Sequence, residues 1–163
     1  MLKKLICLSA GVMFFNNTPA FSLQTKVTSG SKYPVSVMVF EGTCNPNQST
    51  LDKIAEESKK KGMLSKLKGT LQATLEGQGC ENVGQTVTLT NGQSIDVSEG
   101  EVIVAFKDPI EAYQKYKKVV NPLPAVCKIS RGKTVTLVTR KSEGLRSVFG
   151  MAGDGGLKCE TKK

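Results

Sequence analysis

The sequence predicts a small single α+β domain, mostly antiparallel sheet with two helices, stapled by disulfides. Three observations lead there. Residues 1–22 have the layout of a secretory signal, which places the cysteines beyond it in an oxidising compartment. Several short runs are rich in valine or alternate apolar and polar residues, as strands do. Two other stretches carry helix-start signals followed by helical apolar spacing. No internal repeat and no linker divides residues 23–163, so one core is expected.

The N-terminus MLKKLICLSAGVMFFNNTPAFSLQ begins with Lys3 and Lys4, a short positive segment, followed by a mostly apolar run from Leu5 to Phe15. That run is too short for a membrane-spanning helix, which needs about 20 apolar residues. Ala20-Phe21-Ser22 supplies the small residues of a cleavage site before Leu23, and Thr18-Pro19-Ala20 offers a second site two residues earlier. Cys7 lies near the start of the apolar run and lacks a preceding small residue, which argues against lipid attachment. The short signal with paired lysines is of a bacterial kind. Export to the periplasm or the medium is therefore expected.

Loss of the signal removes two lysines and no acids, lowering the net charge of +9 to +7, and leaves Cys44, Cys80, Cys127 and Cys159. An even count in an exported chain reads as two disulfides. Sequential pairing, Cys44 with Cys80 and Cys127 with Cys159, is preferred because each bridge then closes one half of the chain. No C-x-x-C motif and no histidine accompanies these cysteines, which excludes the common zinc and thioredoxin-like patterns. No metal or other cofactor is implied.

Along the chain, residues 23–32 read as a mobile or edge segment. Residues 33–40, YPVSVMVF, form a strand with apolar residues on both faces. A helix is expected from the Ser49-Thr50-Leu51-Asp52 signal to Gly62, with further helical turns over 63–67. Residues 69–78, GTLQATLEGQ, alternate Leu71, Ala73 and Leu75 with polar residues and predict a strand. QTVTLTNGQSIDV predicts a hairpin about Asn91-Gly92 with a type I′ turn. Residues 102–106, VIVAF, predict a buried strand. Asp108-Pro109 opens a second helix with Ile110, Tyr113 and Tyr116 on one face. A final strand pair is expected around Arg131-Gly132, then a last strand carrying Cys159. Gly153-Asp154-Gly155-Gly156 is expected to be a mobile turn.

The motifs that would carry chemistry fall short. Gly132-Lys133-Thr134 resembles the end of a phosphate-binding loop, but Cys127 occupies the position of its first glycine. Ser-x-x-Lys occurs at Ser58/Lys61, Ser65/Lys68 and Ser130/Lys133 without the partner motifs of serine–lysine hydrolases. Glu56, Glu57, Asp96, Glu99, Glu101, Asp108 and Glu111 all lie on polar helix faces or beside turns, and the absence of histidine removes the commonest general base. The expected class is not an enzyme.

Two segments offer contact surfaces. Lys59, Lys60, Lys61, Lys66 and Lys68 cluster around Met63, Leu64 and Leu67, a basic and partly amphipathic stretch suited to anions. Leu145, Val148, Phe149 and Met151 sit among glycines and basic residues, a candidate protein interface if the segment is a loop; if Ser142 caps a short helix, Leu145, Val148 and Phe149 instead pack onto the sheet. The expected function is that of an exported, non-enzymatic binding or structural protein of the bacterial envelope or secretome, with another envelope or secreted protein as partner. Binding of anionic lipid or glycan by the lysines is the second reading. A small secreted hydrolase or hydrolase inhibitor, using the turn at Cys44-Asn45-Pro46, is the third. Nucleic acid is not expected as a partner, since the basic stretch carries no aromatic residue for base stacking.

Overall fold

The computed structural model describes residues 24–140 and 155–162. In chain order its elements are β1 (Gln24–Ser29), β2 (Val35–Phe40), α1 (Gln48–Lys60), a single 3-10 turn (Leu64–Lys66), α2 (Leu67–Gly77), β3 (Val87–Leu89), β4 (Ser94–Ser98), β5 (Val102–Lys107), α3 (Pro109–Tyr116), β6 (Ala125–Lys128), β7 (Thr134–Thr139) and β8 (Leu157–Lys162). The strands form two four-stranded sheets, one ordered β4-β1-β7-β8 and the other β3-β2-β5-β6. Every pairing is antiparallel except that of β1 with β7. This is the α+β, antiparallel-rich single domain that the sequence predicts, with one helix more.

The β2 sequence explains the layering. Val35 and Val37 pack in a core with Val27, Ile103, Ala105, Val135 and Leu137, between the two sheets. Met38 and Phe40, pointing the opposite way, pack with Val104 and Phe106 against Leu51, Leu67, Leu71 and Leu75 of the helices. The second sheet is therefore a middle layer covered on both faces. Its central strands read as continuous apolar runs because neither face meets water; all six residues of β5 are buried.

Of residues 69–78, 69–77 are helical and Gln78 caps the helix, so the segment is not a strand. Leu67, Leu71 and Leu75 are the buried residues of α2, spaced by four, while Ala73 between them is exposed. Leu71 and Leu75 alone fit both periods. Leu67 decides for the helix, because a spacing of four continued over two intervals lies along one helical face. Helix α1 ends close to the expected place: Lys61 caps it and Gly62 follows with φ +65°. Its start falls slightly earlier than expected, at Asn47, whose side chain accepts from Thr50 N–H.

Both predicted strand pairs are separated in space. The turn Thr90–Gln93 is closed by Gln93 N–H to Thr90 O at 3.0 Å, but positive φ occurs only at Gly92 (+81°), as in a type II turn. A type II turn lacks the twist that keeps the flanking strands of a tight hairpin together. Accordingly β3 pairs with β2 and β4 with β1, in different sheets. The same holds around Arg131-Gly132, where β6 pairs with β5 and β7 with β1 and β8. Each turn hands the chain from the middle sheet to the outer one.

Residues 24–29 are also corrected. β1 is an inner strand, bonded to β4 on one side and β7 on the other. Its single strong apolar residue, Val27, conceals how far the backbone is enclosed. Of the expected mobile turn, Gly153 and Asp154 lie outside the described residues, whereas Gly155 and Gly156 are packed in place: the buried Lys107 Nζ donates to Gly155 O, and Arg140 N–H donates to Gly156 O at 2.8 Å. A Cβ on Gly156 would lie 2.6 Å from Leu123 Cβ, so the close approach itself selects glycine there.

The cysteines pair sequentially, as preferred. Cys44–Cys80 ties the end of β2 to the end of α2, with Cα atoms 4.7 Å apart. Cys127–Cys159, with Cα atoms 6.0 Å apart, joins β6 of the middle sheet to β8 of the outer sheet. Both separations lie within the ordinary disulfide range.

Candidate contact surface

Helix α3 is placed by its own first residues. Asp108 is the N-cap: Oδ1 accepts from the N–H groups of Ile110 and Glu111, each at 3.0 Å. Oδ2 accepts from Ser36 Oγ at 2.9 Å, which fastens the cap to β2. Pro109 occupies the first turn, where its missing N–H costs nothing. The rotation so fixed turns Pro109 and Ala112 inward. Ala112 packs in a small cluster with Tyr33 and Val120.

The opposite face of α3 stays in solvent. Ile110, Tyr113 and Tyr116 share a face as the sequence predicts, yet they are 39%, 57% and 40% exposed. Val119, just after the helix, is 73% exposed, and Met63 beside the 3-10 turn is 39% exposed. Among the described residues Val83 is the one other large apolar side chain so exposed. The amphipathic spacing was legible; the side that is buried was not, because Pro109 and Ala112 look less apolar than the residues they leave outside.

Between α3 and the 3-10 turn lies a recess of about 260 Å³, formed by Leu64, Pro109, Ile110, Tyr113, Gln114 and Val119. Pro109 is buried and Leu64 half-buried at its base, while Tyr113 and Val119 stand out at its rim. The lining is apolar apart from Gln114 and the Tyr113 hydroxyl.

Positive charge is dense in the segments that supply its lining. All five lysines of the predicted cluster, Lys59, Lys60, Lys61, Lys66 and Lys68, are exposed on the elbow between α1 and α2 that supplies Leu64. Lys61 lies 3.5 Å from Glu57, a pair exposed on both sides and therefore weak. The chain's three tyrosines gather around α3. Tyr33 and Tyr116 meet edge to face at 5.8 Å. Lys32, Lys115 and Lys117 lie over the rings of Tyr33, Tyr116 and Tyr113, at 4.9, 5.5 and 5.8 Å from the centroids. Leu67, expected between the lysines on the surface, is instead in the core. Leu145, Val148, Phe149 and Met151 lie outside the described residues.

A wider and more open recess of about 610 Å³ runs along α1, where Asp52, Glu56 and Glu57 alternate with Lys53 and Lys60. Its charges are those of a solvated helix face. Of the other acids, Asp108 caps α3 and Glu101 accepts from Ser98 N–H at 2.8 Å, which are structural uses. Glu160 has its pKa lowered by a hydrogen bond and the charge of Lys158, 2.8 Å away on β8, apart from the recess. Among the described residues no group of three His, Cys, Asp or Glu is arranged to hold a metal ion. Asn45-Pro46 is a short link between the Cys44 disulfide and the Asn47 cap of α1. No helix among the described residues is long and apolar enough to cross a membrane.

No protein-family model, no curated protein and no solved structure matches this chain.

Proposed function

We propose that this is an exported, non-enzymatic binding protein of a bacterial envelope or secretome, which holds another exported protein through the face built by α3 and the 3-10 turn. The observation that carries the reading is the gathering of Ile110, Tyr113, Tyr116, Val119 and Met63 on that face around an apolar recess. Exposed apolar side chains scattered singly need no explanation, whereas a contiguous group around a concavity is the usual mark of a contact site. Tyrosine supports the reading further, since it supplies large contact area at small entropic cost. The signal-like N-terminus and the two disulfides support export to the periplasm or the medium.

The test is a photo-crosslinking amino acid placed at Tyr113 and, as control, at Thr134 of β7, in protein made by its native host. A discrete protein adduct at Tyr113 but not at Thr134 is the expected result. Lack of a protein adduct at Tyr113 and at Val119 would remove the face from consideration. Intact mass of the same sample tests export: the expected chain starts at Leu23 or Phe21 and gains four hydrogens on reduction. A full-length chain with alkylatable thiols would contradict it.

A further inference from the structure

We infer that the occupant of the α3 recess is an acidic amphipathic peptide segment, which seats apolar side chains in the recess and sets its carboxylates against the adjoining lysines. This rests on the protein-binding reading and names the partner's chemistry. The recess offers only Gln114 and the Tyr113 hydroxyl as polar groups, so what fills it is mainly hydrocarbon rather than a polar ligand. Lysines adjoin its lining residues: Lys117 lies over the Tyr113 ring, Lys66 closes the 3-10 turn that begins at Leu64, Lys115 follows Gln114, and Lys118 precedes Val119. The acids here are outnumbered: the cap Asp108 and Glu111 of α3 stand against Lys66, Lys115, Lys117 and Lys118. A partner without acids would leave these charges unmatched, and a second copy of an exported chain whose net charge falls from +9 only to +7 on loss of the signal would add repulsion. A bilayer surface shares the charge but not the shape. Its plane meets protruding groups, whereas here Pro109 and Leu64 lie at the bottom of a recess below Tyr113 and Val119, sized for side chains.

The test is selection of a random-peptide phage library on the whole oxidised protein, followed by calorimetry with the enriched peptide as synthesised. Enriched sequences are expected to pair bulky apolar residues with Asp or Glu. Binding should weaken tenfold or more in Ile110→Ser/Val119→Ser. It should weaken about five-fold in Lys66→Gln/Lys117→Gln and by a similar factor from about 50 to about 500 mM salt. These side chains are exposed, so circular dichroism and thermal unfolding of the variants should match the parent. Enrichment of neutral apolar peptides whose affinity ignores salt and the lysine variant overturns the acidic partner, while the protein-binding reading survives. Sedimentation with equimolar phosphatidylglycerol–phosphatidylcholine vesicles, lost in Ile110→Ser/Val119→Ser, together with no enriched peptide, overturns both. Peptides that bind the Ile110→Ser/Val119→Ser variant equally well overturn the recess as the site.

Discussion

Ser29, the last residue of β1, is 1% exposed, and its hydroxyl makes no hydrogen bond among the described residues. Its backbone is fully used: N–H donates to Gln93 O at 2.9 Å, and its carbonyl accepts from Gly92 N–H at 2.7 Å. Backbone pairing therefore holds the strand end, and the hydroxyl gives up water contacts with nothing in exchange. Removing an unsatisfied buried group is neutral or favourable, unlike removing a satisfied one. Ser29→Ala is expected to leave stability unchanged or raise it by up to about 1 kcal/mol, read as the urea midpoint at constant slope. A loss of more than about 1 kcal/mol would mean that the hydroxyl is bonded after all. Gln48 illustrates the opposite case. Its side-chain amide donates to Pro124 O at 2.8 Å and its carbonyl oxygen accepts from Val126 N–H at 3.3 Å. One carboxamide thus occupies the open edge of β6 much as a neighbouring strand would.

Helix α3 ends in an unusual way that bears on the contact surface. Lys117 closes it in the left-handed region at φ 53°, its N–H bonded to Tyr113 O at 2.9 Å, and it is the one non-glycine residue with positive φ among the described residues. That conformation costs an L-residue roughly 1 kcal/mol or more relative to glycine, which usually fills this position. Lys117→Gly is thus expected to raise stability by about 1 kcal/mol, measured by thermal unfolding. The same variant should bind the acidic peptide about two-fold more weakly, since one lysine is gone. Tighter binding would show that the lysine opposes the partner. The expected helix at Asp108-Pro109 was legible because a cap and a proline are local signals. The face it buries was not, since burial of Ala112 depends on Tyr33, distant in sequence, and on how the chain beyond α3 brings Val120 back against it. For the same reason neither expected strand pair forms: Asn-Gly marks a turn, but which sheet each flanking strand joins is decided by partners in β1, β2 and β5.

At the scale of the molecule, the middle sheet makes the layers interdependent. Val104 and Phe106 serve the helical core while Ile103 and Ala105 of the same strand serve the core between sheets. Loss of either outer layer exposes one face of β2 and β5, so the layers should unfold together. The disulfides divide along these lines, Cys44–Cys80 within the helical layer and Cys127–Cys159 across the two sheets, with sequence separations of 36 and 32. Loop lengths so similar predict similar stabilisation from chain entropy, about 3–4 kcal/mol each. Cys44 and Cys80 are both buried, whereas Cys159 is half-buried, so replacing the first pair also sacrifices packing. Cys44→Ala/Cys80→Ala is therefore expected to cost more than Cys127→Ala/Cys159→Ala, with a single transition retained in both. Urea unfolding followed by far-ultraviolet circular dichroism and by tyrosine fluorescence checks this, because the tyrosines report on the α3 region and the dichroism on the whole chain. Coincident curves are the outcome that a shared middle sheet requires. Helical signal lost at lower urea than the tyrosine signal would show that the helical layer comes away alone, and that the two faces of β2 and β5 are less tightly coupled than their packing implies.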